Sequence, residues 1–261
     1  MSDYSFTYRN YSFSLDKAHD SVLYIKAGKT EFSLLITEEG HLLAWKDKCS
    51  LSDLAQDEEL AQVLKAPFKK VVIGLIPDAL TLVPLELVSE ETTLEYARYL
   101  DVKAEDRVFA AKLNDENQII YKLDHTVSDA LSVKFDLKLT VPAYRGWLAN
   151  LAKNDPANTS IFIDVSCDQV TMANFDAGKV RFFNSFKISD VNDILYYALF
   201  VANQLDIQPD YASLIVSGNF SASDFQKLSE FFKTVRYNDL KVVDVPMGVP
   251  SHQVLSLSAL A

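Results

Sequence analysis

Apolar and polar residues alternate in two distant stretches of the chain, residues 23–45 and residues 161–183. In each stretch a short apolar run leads into a polar bend, an alternating segment, a tight turn that ends in glycine, and a third segment. A period of two residues is typical of β-strands, and a glycine turn often joins the strands of a hairpin. Each stretch therefore predicts a three-stranded antiparallel meander.

The two meanders repeat one pattern. Shifting the sequence by 178 − 40 = 138 residues places Gly40 on Gly178 without a gap, and apolar positions then fall on apolar positions. A helix pattern and a buried strand follow each meander, and these strands end at Gly74 and Gly218, 218 − 74 = 144 residues apart. We therefore predict an internally duplicated α/β protein with two lobes, each with a mixed sheet of order β-β-β-α-β-α.

The remaining segments complete the two halves. In the first half we predict helices beginning near Asp53 and over residues 90–100 and 144–153, a hairpin over residues 107–113 and 118–123, and a strand over residues 133–141. In the second half we predict helices from about Asp190 to Leu205 and over residues 221–235, and a closing strand over residues 241–245. The turn-rich segment 154–158 is the best lobe boundary. The predicted lobes are residues 1–155, with an insertion at about 78–125, and residues 156–261.

The first helix of the second half is apolar on nearly all sides between Ile194 and Ala202. A helix that packs on one sheet needs only an apolar stripe, so something must cover its other side. One interpretation is the opposite lobe of the same chain. The other is a partner protein or a second copy of the chain.

Composition narrows the class of protein. Of the 261 residues, 49% are hydrophobic and 23% charged, which suits a large core, and the net charge of −11 opposes binding to nucleic acid or anionic lipid. Two cysteines, Cys49 and Cys167, are too few for a disulfide framework and favour a cytoplasmic protein. The N-terminus lacks a signal-like apolar segment, and the longest apolar run, residues 194–202, is shorter than the ~18 residues of a membrane span. No membrane insertion is expected.

A duplicated β-β-β-α-β-α unit with a polar bend after each first strand resembles the actin-like ATPase superfamily, a ribonuclease H-like fold that includes actin, sugar kinases and chaperone ATPases. More narrowly, segments 71–77 and 83–86, followed by an acidic helix start at Ser89, look like the actin-like components of type IV pilus and type II secretion assembly. They also look like a small bacterial family of unknown function with the same fold. This resemblance implies two lobes with a nucleotide cleft between them.

In that superfamily the two bends hold nucleotide phosphates and Mg²⁺, typically through an Asp-x-Gly motif in each. Carboxylates hold the hydrated cation, and glycine lets backbone N–H groups approach phosphate oxygens. The resemblance places Lys26 and Gly28 in the first bend, so a base stands where the acid belongs. It places Asp164 and Ser166 in the second bend, followed by Asp168, so serine replaces glycine. Neither motif is complete.

The superfamily's adenosine-contacting motif normally has paired glycines after a strand, and here Gly218 is followed by Asn219. Asparagine tolerates a left-handed backbone, so a close ligand approach is weakened rather than excluded. Together with the bend residues these two form a vestigial nucleotide site, in which Asp164 is the only candidate metal ligand. The damaged motifs argue against Mg-dependent ATP hydrolysis. No catalytic residue and no cofactor are predicted, and bound ATP with Mg²⁺ is the alternative.

Lys26 and Asp164 occupy equivalent positions of the repeat, which suggests a salt bridge across the cleft. Asp164 alone leaves two roles open, a metal or phosphate ligand or a structural carboxylate bonded to backbone. Segment 28–30 lacks the earlier glycine and the following helix of a phosphate loop, and the four histidines lack metal-site spacing. Asp168 beside Cys167 would raise the pKa of the thiol and weaken it as a nucleophile.

These observations favour a non-catalytic actin-like scaffold or adaptor that acts through a protein partner or as a homodimer. The alternative is an ATP-binding switch or a kinase-like enzyme that retains weak nucleotide binding between the lobes.

Overall fold

Strands dominate the computed structural model, which describes residues 6–53, 57–132, 136 and 140–260. The strands are β1 (Tyr8–Arg9), β2 (Val22–Ala27), β3 (Glu31–Glu38), β4 (His41–Ser50), β5 (Lys70–Leu75), β6 (Ala79–Pro84), β7 (Arg107–Lys112), β8 (Asn117–Leu123), β9 (Thr140–Pro142), β10 (Ser160–Ser166), β11 (Gln169–Asp176), β12 (Lys179–Lys187), β13 (Ser213–Gly218) and β14 (Thr234–Tyr237). They form a first sheet of order β1-β4-β3-β2-β5-β9, a second sheet of order β12-β11-β10-β13-β14 and a small third sheet of order β6-β8-β7.

The first and second sheets share one topology. In the first sheet β2 is antiparallel to β3 and parallel to β5, and in the second β10 is antiparallel to β11 and parallel to β13. The meander turns match as well, because Glu39 and Gly40 have φ of 50° and 82°, and Ala177 and Gly178 have φ of 49° and 74°. Two successive positive φ angles are typical of the hairpin turn that suits twisted strands. The repeated hairpin pattern in the sequence is therefore also a repeat in the structure.

Helices cover the sheets and fill the space between them. They are α1 (Glu58–Lys65), α2 (Glu90–Ala97), α3 (His125–Ser132), α4 (Arg145–Ala152), α5 (Val191–Gln204), α6 (Ala222–Ser229) and α7 (Ser251–Ser258), with 3₁₀ turns at Leu15–Asp20, Leu85–Leu87 and Arg98–Leu100. Each described half ends in a helix, α4 after β9 and α7 after β14. The repeat is therefore one strand and one helix longer than the order β-β-β-α-β-α predicted from the sequence.

Two large apolar cores stabilise the first and second sheets, and a smaller third core includes Val83, Leu100 and Ile120. One of the large cores lies between the first and second sheets and includes Ile25 and Phe162 from the strands, Trp147 from α4 and Leu257 from α7. The other lies on the opposite face of the second sheet, beneath α5 and α6. The strands β10 and β13 are therefore covered on both faces, which explains their nearly continuous apolar sequence.

The predicted closing strand over residues 241–245 is wrong. The last strand is β14, and the later segment makes a single bridge between Asp244 and His41. Val242 and Val245 pack against the core without forming a strand, so their β-branched side chains gave a misleading pattern. The helix predicted over residues 221–235 ends at Ser229 and leaves room for the strand.

Other predicted elements are found with shifted bounds. Asp53, near which a helix was predicted to begin, is helical, residues 54–56 lie outside the described residues, and α1 follows with Asp57 as its cap. Of the strand predicted over residues 133–141, residues 140 and 141 belong to β9, while 133–135 and 137–139 lie outside the described residues. The pairing of Lys26 with Gly74 and of Asp164 with Ser217 makes 217 − 74 = 143 the structural offset, one less than the offset between the glycines. Helices α3 and α7 were not predicted.

The outer face of α5 is exposed. Ile194, Leu195 and Ala198 are buried toward the second sheet, but Tyr196 is 63% and Phe200 44% exposed. The interpretation that the opposite lobe covers the second side of this helix is therefore wrong. Its aromatic rings stack along the surface, with 6.4 Å between the centroids of Tyr196 and Phe200.

Candidate functional site

The two polar bends follow β2 and β10 and lie against each other. Strand alternation puts Asp164 on the same face of β10 as Phe162, which belongs to the core between the sheets, while Ile163 and Val165 belong to the core beneath α5. Asp164 therefore points toward the first sheet. At the equivalent position of β2 stands Lys26, and the two side chains meet.

Lys26 is the centre of a buried polar cluster. Its Nζ donates hydrogen bonds to Asp164 Oδ2 at 2.8 Å, to Ser166 Oγ at 2.7 Å and to Ser256 Oγ at 2.7 Å. The same ammonium lies 4.6 Å from the centroid of the Tyr144 ring. Lys26 is 5% exposed and Asp164 is fully buried. The predicted salt bridge between Lys26 and Asp164 is confirmed, and all three ammonium donors are engaged.

The electrostatics keep this lysine charged. Burial by itself lowers the pKa of a lysine because it penalises the cation. Here burial is the largest single influence, but the charge and hydrogen bond of Asp164, together with smaller effects of neighbouring groups, outweigh it, and the pKa of Lys26 rises from 10.5 to about 12. Burial raises the pKa of Tyr144 to about 12, so the phenol is neutral and presents its ring to the cation. The charged Lys26 ammonium therefore links β2, β10 and α7.

A small cavity, the bend cavity, lies beside Lys26 between the two bends and α7. Its volume is about 40 Å³, and its lining includes Ser166, Gly218 and Gln253. A water molecule needs roughly 10–15 Å³ measured in this way, whereas small-molecule pockets are about 300–1,000 Å³. In this structure the bend cavity has room for a few water molecules and none for a nucleotide.

The space that the missing side chain of Gly28 leaves is filled by another part of the protein, the second bend. A Cβ at this position would lie 2.9 Å from Cys167 Sγ, and the Gly28 N–H is bonded to Glu31 O at 2.9 Å. Burial raises the pKa of the Cys167 thiol, with Asp168 as a lesser cause, so the predicted direction is confirmed but its main cause is burial. The two bends are therefore in contact with each other, and nucleotide phosphates could bind between them only if the bends moved apart.

Gly218 and Asn219 also make close contacts within the protein, both with the backbone of Val165. Gly218 has φ of 81°, and a Cβ there would lie 2.1 Å from Val165 O, so only glycine fits. Asn219 does not adopt a positive φ, and its backbone N–H is bonded to Val165 O at 2.9 Å. The backbone donor that could approach a ligand is therefore already used.

Outside the bends lies an open cleft of about 550 Å³, here called the outer cleft. The carboxylates in its lining belong to Glu31, Asp168, Asp190 and Asp224, and Lys48 is the cation among its described lining residues. Such a surface repels phosphate. Asp168, predicted as part of the nucleotide site, lies in this outer cleft and makes no contact with the Lys26 cluster.

Two helices begin at the outer cleft, but both starts are capped from within. Asp190 accepts the backbone N–H of Asn192 at 2.7 Å at the start of α5. At α6, Ser221 Oγ accepts from Asp224 N and Asp224 Oδ2 accepts from Ser221 N, at 3.1 and 3.0 Å. These donors, which bind phosphate in many proteins, are bonded to protein carboxylates and hydroxyls.

The cluster does not fit the Mg²⁺–nucleotide pair that an intact superfamily site would hold. Asp164 supplies the single carboxylate, one of its oxygens is bonded to the Lys26 ammonium, and a second cation would be repelled there. Within the described part of the chain, no group of three or more His, Cys, Asp or Glu side chains could hold a metal ion. Lys29, the other lysine of the first bend, pairs with Asp124 at 2.7 Å and does not face the cluster.

Sequence reasoning missed two members of the cluster, Tyr144 and Ser256. Tyr144 precedes α4 and Ser256 lies on α7, so both come from the helices that end the two halves. The sequence carried no signal for Ser256, because α7 itself was not predicted. Tyr144 was placed in a helix, but nothing in the sequence indicated that its ring faces Lys26.

The topology and the paired bends define a protein with the actin-like ATPase fold. A solved structure from Bacteroides thetaiotaomicron, described as a protein with actin-like ATPase fold and unknown function, superposes with a TM-score of 0.75 at 18% identity and covers 95% of this chain and 98% of its own. The PilM–PilN type IV pilus biogenesis complex contains a chain that superposes with a TM-score of 0.60 at 13% identity, covering 92% of this chain and 97% of its own.

The sequence matches the family described as Protein of unknown function (DUF3822) over residues 10–235, and the chain belongs to that family. No curated protein matches the sequence. Among the described helices, none combines the length and the apolar character that crossing a membrane requires.

Proposed function

We propose that this protein is a non-catalytic actin-like adaptor whose cleft is held closed by its own lysine and which acts through protein partners in the cytoplasm. The observation that carries the proposal is the buried ion pair between Lys26 and Asp164. It occupies the space between the bends, where a nucleotide phosphate would otherwise have to bind, and it supplies the positive charge from the chain itself. In this view the halves arose by duplication, and the two bends diverged from a phosphate-holding pair into a clamp.

Three further features support the adaptor role. The bend cavity is too small for a nucleotide, the outer cleft is acidic, and the exposed aromatic face of α5 is an apolar surface of the kind that marks association. The similar PilM chain was solved in a complex with PilN. This structural similarity supports the proposal that the present chain also binds a protein partner.

Nucleotide binding is the test. Purified protein is heated with ATP or ADP and Mg²⁺ at millimolar concentration while its unfolding temperature is followed, and phosphate release is measured in parallel. We expect neither a thermal shift nor turnover. A ligand at one hundred times its Kd would stabilise the native state by about 2.7 kcal/mol, which is readily measured.

Turnover that is lost in Asp164→Asn, with the variant shown to be folded, would contradict the proposal and support the ATP switch or kinase-like enzyme. Light scattering of the same preparation then separates two kinds of association. A dimer that dissociates in a Tyr196→Ser, Phe200→Ser variant would assign the α5 face to a second copy. If the protein is a monomer, the proposal assigns the α5 face to binding a different protein.

A further inference from the structure

The second sheet ends in a strand whose outer edge is open. Among the described strands β14 pairs with β13 alone, and Asn238, directly after it, donates its backbone N–H to Val216 O at 2.8 Å. Backbone groups alternate in direction along a strand, so the N–H and C=O groups of Val235 and Tyr237 point away from the sheet. Among the described residues no backbone hydrogen bond reaches them. This edge offers the donors and acceptors that another strand would pair with.

A groove of about 560 Å³, here called the edge groove, lies next to this strand. Its apolar lining includes Leu151, Phe162 and Ile215, all of which are buried core residues. The volume lies within the roughly 300–1,000 Å³ range of small binding pockets. Arg236 of β14 and Asn238 line the same groove, so the groove reaches the edge strand.

Asn238 provides an unsatisfied polar group in this lining. The residue is 3% exposed, and its Oδ1 accepts the backbone N–H of Leu240 at 3.1 Å. Its Nδ2 has no hydrogen-bond partner among the described residues. A buried amide donor without a partner is costly in a folded protein, and an acceptor brought by a ligand would remove that cost.

The charge of this region contrasts with that of the whole chain. Residues 233–241 carry Lys233, Arg236 and Lys241 against Asp239 alone, in a protein of net charge −11. Arg236 Nη1 is bonded to Asp239 Oδ1 at 3.2 Å, whereas the two lysines have no ion-pair partner in the described part of the chain. Asp155 also lines the edge groove. The surplus of positive charge along the edge is complementary to an acidic segment.

We propose that an extended, acidic segment of a partner protein adds to β14 as a further strand and places an apolar side chain in the edge groove. Strand addition uses main-chain hydrogen bonds for affinity and a pocket for specificity, which matches the open edge and the adjoining groove. The inference rests on the proposed adaptor function and names the kind of partner. A second copy of the chain suits the site less well, since two molecules of charge −11 repel each other.

Peptide selection on the full chain tests the charge and the groove. A phage-displayed library of random twelve-residue peptides is selected, and enriched peptides are measured by fluorescence polarisation. We expect an apolar residue flanked by Asp or Glu. Lys241→Glu should weaken these peptides about tenfold or more, as expected for loss of a charge-assisted contact. The matched control Lys70→Glu makes the same charge change at the exposed start of β5 and should change affinity less than about twofold.

Backbone methylation tests strand addition itself. Methylating alternate peptide amides on one edge of an enriched peptide should weaken it about tenfold or more, while methylating the other set leaves affinity nearly unchanged. Failure to enrich acidic–apolar peptides, equal binding to Lys241→Glu, or equal loss from both methylated sets would each overturn the inference. In that case the basic residues along β14 would be interpreted as preventing aggregation through this open edge. The nucleotide experiment decides the adaptor proposal separately, because it does not depend on any peptide.

Discussion

The strands β2 and β10 occupy the same place in sheets of the same topology, yet they carry opposite charges at their equivalent positions. Lys26 on β2 and Asp164 on β10 are each buried, and each alone would be an unpaired charge in an apolar core. Together they form a buried ion pair between the two sheets, within the apolar core that also joins them. The comparison teaches that the two sheets repeat the same backbone topology, while opposite charges at one equivalent position join the two bends in a buried ion pair.

Of the variants that test this comparison, removing the charge of Lys26 should lower the free energy of unfolding most. In Lys26→Met the buried Asp164 loses its cation, and removing one partner of a buried pair typically costs about 3–5 kcal/mol. We expect a loss of that size in the free energy of unfolding, measured by urea denaturation. Lys29→Met is the matched control, because its pair with Asp124 is partly exposed and should contribute less than about 1 kcal/mol.

The double variant Lys26→Met, Asp164→Leu separates charge from packing. With both charges removed, most of the lost stability should return, and additive losses would contradict the clamp. The pH dependence gives a second check. Because the pKa of Lys26 is raised from 10.5 to about 12, its contribution is complete below pH 10.5 and is lost as the pH rises through about 12.

Gly218→Ala should have the next largest effect, roughly 2–4 kcal/mol by strain and overpacking. Its new Cβ would lie 2.1 Å from a backbone oxygen, Val165 O, at a φ of 81°. Gly74→Ala is the comparison in the first sheet, where φ is not positive and the nearest atom to the Cβ, at 2.3 Å, is the end of a side chain, Leu260 Cδ2, rather than backbone. Thermal unfolding should show the smaller loss for Gly74→Ala, and the reverse order would mean that the second bend is the more adaptable one.

Ser256→Ala should cost about 1.5–3 kcal/mol, because a hydrogen bond to a charged group is lost and Lys26 keeps an unsatisfied donor. Ser258→Ala, two residues along α7, removes only a neutral bond to Leu255 O and should cost about 0.5–1.5 kcal/mol. Chemical denaturation of the two variants makes the comparison directly. Equal losses would show that α7 is held by packing alone and that Ser256 adds nothing to the clamp.

The smallest effect should come from His252, which stacks on Tyr237 with 4.1 Å between ring centroids. Burial lowers the pKa of His252 from 6.5, so the folded state favours the neutral ring. The unfolded chain therefore takes up a proton first, and stability should fall as the pH drops through 6.5 toward the lower folded value. In His252→Gln this slope should be shallower in urea denaturation at several pH values. An unchanged slope would assign the acid sensitivity to other groups.

Local patterns in the sequence predicted the meanders and the glycine turns, because each depends on residues close together in the chain. The contact between Lys26 and Asp164 was predictable for a different reason, since an internal repeat relates two distant positions. The outward face of α5 and the place of β14 were not predictable, because each is decided by what packs against it. Ser256 was hidden because α7 carries few local helix signals, and its position is set by the two sheets that enclose it.

The clamp also limits how this chain can change over time. A lysine at 26 is tolerable only while 164 is acidic, and an acid at 164 is tolerable only while 26 is basic, so neither codon can drift independently. In a set of related sequences the two positions should covary as a unit, either as the charged pair, as its reversal or as two neutral residues. The mixed combinations should be rare, because each would pass through a folded state with a solitary charge in its interior.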